Sequence, residues 1–241
     1  MIVDLYFKEL TELPEILDGV IELHIGFNKL KNLPKLPDSI KILYLTNNQL
    51  TSLDNLPSYL EELYINFNHI KELPLLPKTL KKLYCNYNKL EIINNLPPNL
   101  EVLDCADNKL KKICDLPETL YLFDCSCNNL LNLPRLPKNL LKLHASFNYI
   151  RTIPYLPDSL KEICLYSNKV CIPEYISDNL ISLSIRKKEY NYNELKELIN
   201  SLTKARHKKR CETFHEELVA KVFHPSRVEK WIYAGYDIED F

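Results

Sequence analysis

The chain repeats itself every 20 residues. When the sequence is aligned with itself at that shift, a Leu-Pro pair recurs from Leu36-Pro37 to Leu156-Pro157. Asparagine recurs in the same frame, without insertion or deletion, as Asn28, Asn48, Asn68, Asn88, Asn108, Asn128, Asn148 and Asn168. A period this short has no space for a helix, and one unit alone cannot bury its apolar residues. The units therefore have to stack into a solenoid.

Each unit reads LPxxLxxLxLxxNxLxxL, which is the spacing of a leucine-rich repeat. The two apolar residues spaced by one, such as Leu63 and Ile65, alternate as in a short strand with one buried face. The asparagine three residues later lies where the chain turns off the strand, and its amide can bond backbone groups of the neighbouring unit. Proline fixes φ and has no N–H, so an extended or polyproline-like return path is predicted.

The ends of the array depart from this pattern. Lys8 and Lys188 stand where the frame calls for asparagine, as is typical of capping units. We predict a mostly β solenoid of the α/β type over residues 1–188, in which residues 1–20 are the N-terminal capping unit. Its concave side is predicted to carry a parallel sheet of about ten short strands.

Residues 189–241 have helical rather than 20-residue spacing and are predicted to form a C-terminal helical appendage, with a first helix from about 194 to 210. The run from Lys204 to Arg210 closes that helix with cations, which complement the helix dipole. Glu212 follows it closely, and a nucleic-acid contact would require a broader basic face.

The overall composition excludes several classes of function. Lys and Arg total 31 against 32 Asp and Glu, so no global field attracts nucleic acid or acidic lipid. The N-terminus lacks the apolar stretch of a signal peptide, no run is long enough to span a membrane, and an intracellular location is expected. The 8 cysteines are then expected to stay reduced, and 3 glycines exclude folds built on glycine-rich phosphate loops.

Strand alternation places the residue between the two buried positions on the exposed concave face. This central column reads His24, Tyr44, Tyr64, Tyr84, Asp104, Asp124, His144 and Cys164. The next exposed column is small and polar, so the tyrosines are expected to project from it. Rigid phenol rings are frequent interface anchors, although in-register rings also stabilise a sheet by stacking. The predicted partner-binding residues are Tyr44, Tyr64, Tyr84, Asp104, Asp124 and His144.

No catalytic, metal or cofactor site is predicted. Asp104 and Asp124 face water and have no nucleophile or metal partner in the pattern. Cys85, Cys105 and Cys125 share the second buried strand position, where a metal ladder is conceivable, but small buried apolar side chains are the favoured interpretation.

The unit with Leu33-Pro34-Lys35-Leu36-Pro37 resembles the short leucine-rich repeats of bacterial type III secreted effectors over roughly residues 10–185. The endings FHPSR at residues 223–227 and GYD at 235–237 resemble leucine-rich repeat proteins of mimivirus-type giant viruses. Some of the effectors carry a ubiquitin-ligase domain after the repeats, but Cys211 lies in no matching motif.

These resemblances imply an intracellular recognition role. We expect a non-enzymatic module that binds an unidentified protein, for which a host protein is one candidate. The alternative is an effector or adaptor whose tail has a ligase-like or recruiting activity while the repeats select the substrate. Nucleic acid and membrane are not expected as partners, and the oligomeric state stays open.

Overall fold

The structure is a computed structural model that describes residues 1–170, 179–186 and 188–190, together with positions 193, 194, 196–198, 200, 201, 204 and 208. The chain divides into two compact units, Met1–Leu195 and Lys196–Phe241. The positions described between 193 and 208 are helical. No helix in the described part of the chain has the length and apolar character needed to cross a bilayer.

Among the described residues, the main sheet has 11 strands, and ten of them come from consecutive repeats and run parallel. The strands are β1 (Ile2–Asp4), β2 (Glu22–His24), β3 (Ile42–Tyr44), β4 (Glu62–Tyr64), β5 (Lys82–Tyr84), β6 (Ile92–Ile93), β7 (Val102–Asp104), β8 (Lys112–Ile113), β9 (Leu122–Asp124), β10 (Lys142–His144), β11 (Glu162–Tyr166), β12 (Ser182–Arg186) and β13 (Lys188–Tyr190). Residues 20 apart are partners in the parallel register, as Leu43 and Leu63 are. The predicted solenoid with a parallel sheet of about ten strands is confirmed.

The core lies directly behind this sheet. From Val20 onward, each repeat, called a rung below, buries its two inward strand residues and the apolar residues that flank them, and Leu60, Leu63 and Ile65 are fully buried. Cys85 and Cys105 occupy the same inward position as Ile65 and are also fully buried. Cys125 lies in the core as well, so the interpretation of these thiols as small buried side chains is confirmed.

The asparagines join one rung to the rung before it. In Asn48, the side-chain nitrogen donates to the carbonyl oxygens of Ile25 (2.9 Å) and Leu45 (3.1 Å), and the side-chain oxygen accepts from the backbone nitrogen of Leu30 (3.0 Å). The same pattern recurs from Asn28 to Asn168. Each amide thereby satisfies backbone groups that no strand pairing reaches.

Between the strands of the main sheet, the described return path contains no helix, in line with the prediction from proline, and it includes a tight turn. The carbonyl oxygen of the proline in each Leu-Pro pair from Pro37 to Pro157 accepts a hydrogen bond from the backbone nitrogen three residues later, as Pro57 does from Leu60 (3.3 Å). A tight turn therefore leads into the strand in these seven rungs. A second sheet of two strands, β6 and β8, also lies on this path. It includes a bond from the nitrogen of Cys114 to Ile93 O (2.8 Å), which a proline at position 114 would abolish.

The two ends of the sheet are built differently. At the N-terminal end, the ring of Tyr6 lies over Gly26, where a Cβ atom would be 2.2 Å from Tyr6 Cε1. At the other end, β13 pairs antiparallel with β12. Residues 189 and 190, the first of the predicted helical appendage, are therefore strand.

Candidate binding face of the sheet

The exposed face of the sheet carries three columns of side chains, one for each outward strand position. The central column, from His24 to Cys164, is half-buried throughout. It brings the six predicted binding residues together in consecutive strands, because the parallel register aligns Tyr44 with Tyr64 and Tyr84, and then Asp104 with Asp124. His144 follows opposite Asp124 on β10.

The three tyrosines form a continuous stack. The ring centroids of Tyr44 and Tyr64 are 4.3 Å apart with an interplanar angle of 12°, and those of Tyr64 and Tyr84 are 4.7 Å apart at 6°. His24 extends the stack edge-on against Tyr44, with centroids 4.5 Å apart. The rings are half-buried rather than projecting as expected, because each covers the face of the next. The rings therefore stack on one another, which was the alternative to projection from the face. The stacked rings keep only their outer edges open to solvent.

Tyr64 is also held at its hydroxyl group. The hydroxyl donates to Glu62 Oε2 (2.7 Å), and Glu62 Oε1 lies 2.8 Å from Lys82 Nζ. Burial, followed by the bond to Glu62, raises the pKa of Tyr64 well above its ordinary value. The phenol is therefore neutral at physiological pH and is fixed in one orientation.

The column continues into carboxylates with different environments. Burial raises the pKa of Asp104, although that carboxylate accepts bonds from the backbone nitrogen of Ala106 (3.1 Å) and from the side chain of Asn86. Burial acts in the same direction on Asp124, but bonds from His144 and from the nitrogen of Ser126 (2.9 Å) outweigh it and lower the pKa of Asp124.

His144 connects two carboxylates on neighbouring strands. Its Nδ1 lies 3.4 Å from Asp124 Oδ2, and its Nε2 lies 2.9 Å from Glu162 Oε1. Lys142 Nζ is 3.0 Å from the other oxygen of Glu162. The bond with Asp124, and then the one with Glu162, raise the pKa of His144 despite partial burial. This part of the face is a charged network across three strands.

The column that anchors these side chains was not among the residues predicted from the sequence. It lies two residues before the central column and includes Glu62, Lys82, Lys142 and Glu162, which make the contacts just described. The same alternation that identified the central column also assigns these residues to the exposed face, so the signal was present in the sequence.

A further column, which includes several aromatic residues, was also not predicted from the sequence. In the first nine rungs, the residue before the repeating asparagine, or before Lys8 in the first rung, has a positive φ between 50° and 57° and lies just beyond the strand. This turn column reads Phe7, Phe27, Asn47, Phe67, Tyr87, Asp107, Cys127, Phe147 and Ser167. Phe67 and Tyr87 stack with centroids 4.2 Å apart and are 50% and 48% exposed. These rings are more exposed than the tyrosines of the central column.

Several predicted features cannot be placed. Cys211, His207 and most of the basic run from Lys204 to Arg210 lie outside the described residues, although Lys204 and Lys208 themselves are helical.

Comparison with solved structures identifies the fold. YopM from Yersinia enterocolitica WA-314 is 36% identical with a TM-score of 0.71, and the match covers 74% of this chain and 40% of that chain. YopM from Yersinia pestis, described as a leucine-rich effector protein, is 33% identical with a TM-score of 0.66, covering 74% and 57%. A Shigella effector leucine-rich repeat domain is 26% identical with a TM-score of 0.53, covering 70% of each chain.

The chain thus spans 40% and 57% of the two YopM chains that it matches. No protein-family model and no curated protein matches the chain. The fold is that of a leucine-rich repeat solenoid, and its repeats are similar to those of bacterial effector proteins.

Proposed function

We propose that this chain is a non-enzymatic recognition module that binds a partner protein on the exposed face of its main sheet. The observation that carries the proposal is the stack of Tyr44, Tyr64 and Tyr84, whose centroids lie 4.3 and 4.7 Å apart. The stacked rings are already ordered in the free chain. Binding of a partner to their edges therefore costs little additional side-chain entropy. A face of this kind favours binding of a protein surface over catalysis.

Unsatisfied polar atoms beside the stack support the same proposal. The side-chain oxygens of Asn66 and Asn86 are buried and accept no hydrogen bond from the residues described. A buried acceptor without a donor is costly. Rotation of the Asn66 amide towards a donor on a partner would gain a hydrogen bond on binding, whereas rotation of Asn86 would also break its bond to Asp104.

The charge of the face suggests the chemistry of the partner. The three carboxylates of Asp104, Asp124 and Glu162 outnumber the nearby cations, Lys142 and a protonated His144. A partner with an apolar or aromatic patch next to basic side chains therefore fits best. The exposed rings of Phe67 and Tyr87 would form the rim of the interface.

The comparisons support recognition as the general role, because one of the similar YopM structures is described as an effector. We extend the proposal to an intracellular setting and to a protein partner, with a host protein as one candidate. We also propose a relationship to the leucine-rich repeat proteins of giant viruses, which residues 223–227 and 235–237 resemble.

The test is affinity capture from host-cell lysate with three forms of the full chain. The first is the unaltered chain, and the second carries Tyr44→Ala, Tyr64→Ala and Tyr84→Ala. The third is a matched control with three exposed tyrosines away from the exposed face of the sheet changed to alanine: Tyr59, Tyr149 and Tyr155, which are 63%, 50% and 72% exposed.

The proposal expects the control to recover the same proteins as the unaltered chain and the first triple variant to lose them. Circular dichroism should show that all three forms are folded. A fourth form with phenylalanine at 44, 64 and 84 keeps the stack, so it should retain at least part of the binding. Equal recovery by the unaltered chain and the central-column alanine variant contradicts the proposal.

A further inference from the structure

Three side chains with metal-binding atoms meet where β10 and β11 lie side by side. Glu162 and Cys164 are separated by one residue on β11, so alternation places both on the exposed face. The parallel register sets His144 directly opposite Cys164. One ligand atom from each residue can be chosen so that all three lie within 4.8 Å of one another.

We propose that His144, Glu162 and Cys164 form a binding site for a zinc ion. An imidazole nitrogen, a carboxylate oxygen and a thiolate are the ligand types that zinc takes in proteins. Three protein ligands leave a fourth tetrahedral position for water or for a group from a bound molecule.

The spacing of one ligand pair, His144 and Glu162, already approaches that around a coordinated ion. Nε2 of His144 and Oε1 of Glu162 are 2.9 Å apart. In a tetrahedral site with zinc–ligand distances of about 2.0–2.1 Å, the same two atoms would be about 3.3 Å apart. A movement of a few tenths of an ångström therefore converts this contact into a pair of ligands.

Neighbouring residues orient the ligands as outer partners do in known metal sites. Asp124 Oδ2 lies 3.4 Å from Nδ1 of His144, which holds the imidazole with Nε2 directed at Glu162. A carboxylate behind a ligating histidine fixes its tautomer and strengthens it as a ligand. Lys142 Nζ lies 3.0 Å from Oε2 of Glu162 and leaves Oε1 for the ion.

The three ligands are half-buried, so an ion can reach them from solvent. A thiolate together with an imidazole selects zinc over calcium or magnesium, which require oxygen ligands. The imidazole nitrogen and the thiol sulfur must each be without a proton to coordinate zinc. Zinc binding therefore releases protons.

The test uses the full chain without an affinity tag, kept reduced, and no partner protein. Zinc affinity is measured by competition with a chromogenic chelator, and cobalt(II) reports the ligands through its absorption spectrum. One equivalent of zinc should bind to the unaltered chain, and the cobalt form should show a thiolate-to-metal charge-transfer band.

Cys164→Ser should remove the charge-transfer band and weaken zinc binding at least about tenfold, because a ligand is lost. Glu162→Gln should weaken zinc binding and keep the band. Asp124→Asn should weaken it by about 10- to 100-fold while keeping all three ligands. Cys127→Ser is the matched control, since that thiol is also half-buried but lies in the turn column, and it should change neither measurement.

Failure of the unaltered chain to bind zinc would overturn the proposal, and so would a cobalt charge-transfer band that survives Cys164→Ser. Thermal melting establishes that each variant is folded, and Glu162→Gln tests the site independently of the thiol. Since no partner is present, the result does not depend on whether the proposed protein recognition is correct.

Discussion

The side-chain nitrogen of Asn88 donates to the carbonyl oxygen of Ile65, a residue 23 positions earlier in the chain, at 2.9 Å. The oxygen of the same amide accepts from the backbone nitrogen of Ile70 at 3.0 Å. One short side chain therefore holds its own rung against two points of the preceding rung, where strand pairing has already ended.

Replacement of Asn88 by alanine should lower the free energy of unfolding by roughly 2–4 kcal/mol. The variant leaves the backbone nitrogen of Ile70 buried without an acceptor, which costs about 1–3 kcal/mol. It also removes the bonds donated to the carbonyl oxygens of Ile65, Cys85 and Asn86, although each of these oxygens keeps another donor. Asn88→Asp should be at least as damaging near neutral pH, because a carboxylate would face the carbonyl oxygens of Ile65 and Cys85. Chemical denaturation measures both, and Asn94→Ala, an exposed asparagine in the same rung, should change stability by less than about 0.5 kcal/mol.

Gly26→Ala should disturb the N-terminal end of the solenoid. A Cβ at this position would be 2.2 Å from Tyr6 Cε1 and 3.0 Å from the carbonyl oxygen of Thr46, so the Tyr6 ring has to move off His24. We expect a loss of about 1–3 kcal/mol, typical of overpacking. In the double variant with Tyr6→Ala, the effect of Gly26→Ala should shrink, and a double-mutant cycle would detect that coupling. Additive effects would contradict a contact between the two residues.

Glu61 should contribute to stability in a pH-dependent way. Hydrogen bonds from Lys81 (2.8 Å) and Lys41 (2.9 Å) lower its pKa from the ordinary 4.5 to about 2. A lowered pKa in the folded state stabilises the protein above pH 4.5, and this contribution disappears as the pH falls through 2. Because the groups are partly exposed, the contribution should be below about 1 kcal/mol.

Denaturation of the unaltered chain and of Glu61→Gln should therefore differ most above about pH 5 and converge towards pH 2. Glu101→Gln is the control at the same position of the repeat two rungs later. A difference between the unaltered chain and Glu61→Gln that grows on acidification would contradict the assigned ion pairs.

Ser167→Gly should stabilise the protein. Ser167 has a φ of 52°, in the left-handed region that costs a residue with a Cβ atom about 1 kcal/mol. Glycine removes this cost but adds freedom to the unfolded chain, so we expect a net gain below about 1 kcal/mol. Ser146→Gly makes the same replacement at a described residue outside that region, and it should destabilise. Thermal melting of the pair separates the backbone effect from loss of the hydroxyl group.

The strict period explains why most of the fold was predictable. Once Leu63 and Ile65 are assigned to a strand, a shift of 20 residues assigns the corresponding residues in every rung, and the asparagines follow. Neighbouring rungs restrict one another, so local uncertainty at a single strand is removed by the remaining copies.

The observed structure differs from the sequence-based expectations where the chain departs from the repeat. It also differs where a contact depends on two rungs together. The pair β6 and β8 includes a bond that the backbone nitrogen of Cys114 donates to Ile93 O, whereas several other rungs have a proline without that N–H at this position, such as Pro74 and Pro134. The interaction of His144 with Glu162 depends on the distance between two columns, which the identity of either residue alone does not give. The positive φ of Phe67 is set by the turn, and its aromatic side chain gives no sign of that conformation.

The antiparallel strand β13 has a consequence for self-association. The unpaired edge of a parallel sheet presents backbone N–H and C=O groups at the spacing of the next rung. A second molecule with the same repeat could pair with that edge. Along Leu183–Ile185 that edge of β12 is occupied by a strand of opposite direction, whose hydrogen-bond geometry does not match an incoming parallel rung. An incoming rung would therefore meet β13 and not β12, so the parallel register that joins the rungs within this chain does not continue at this side of the sheet.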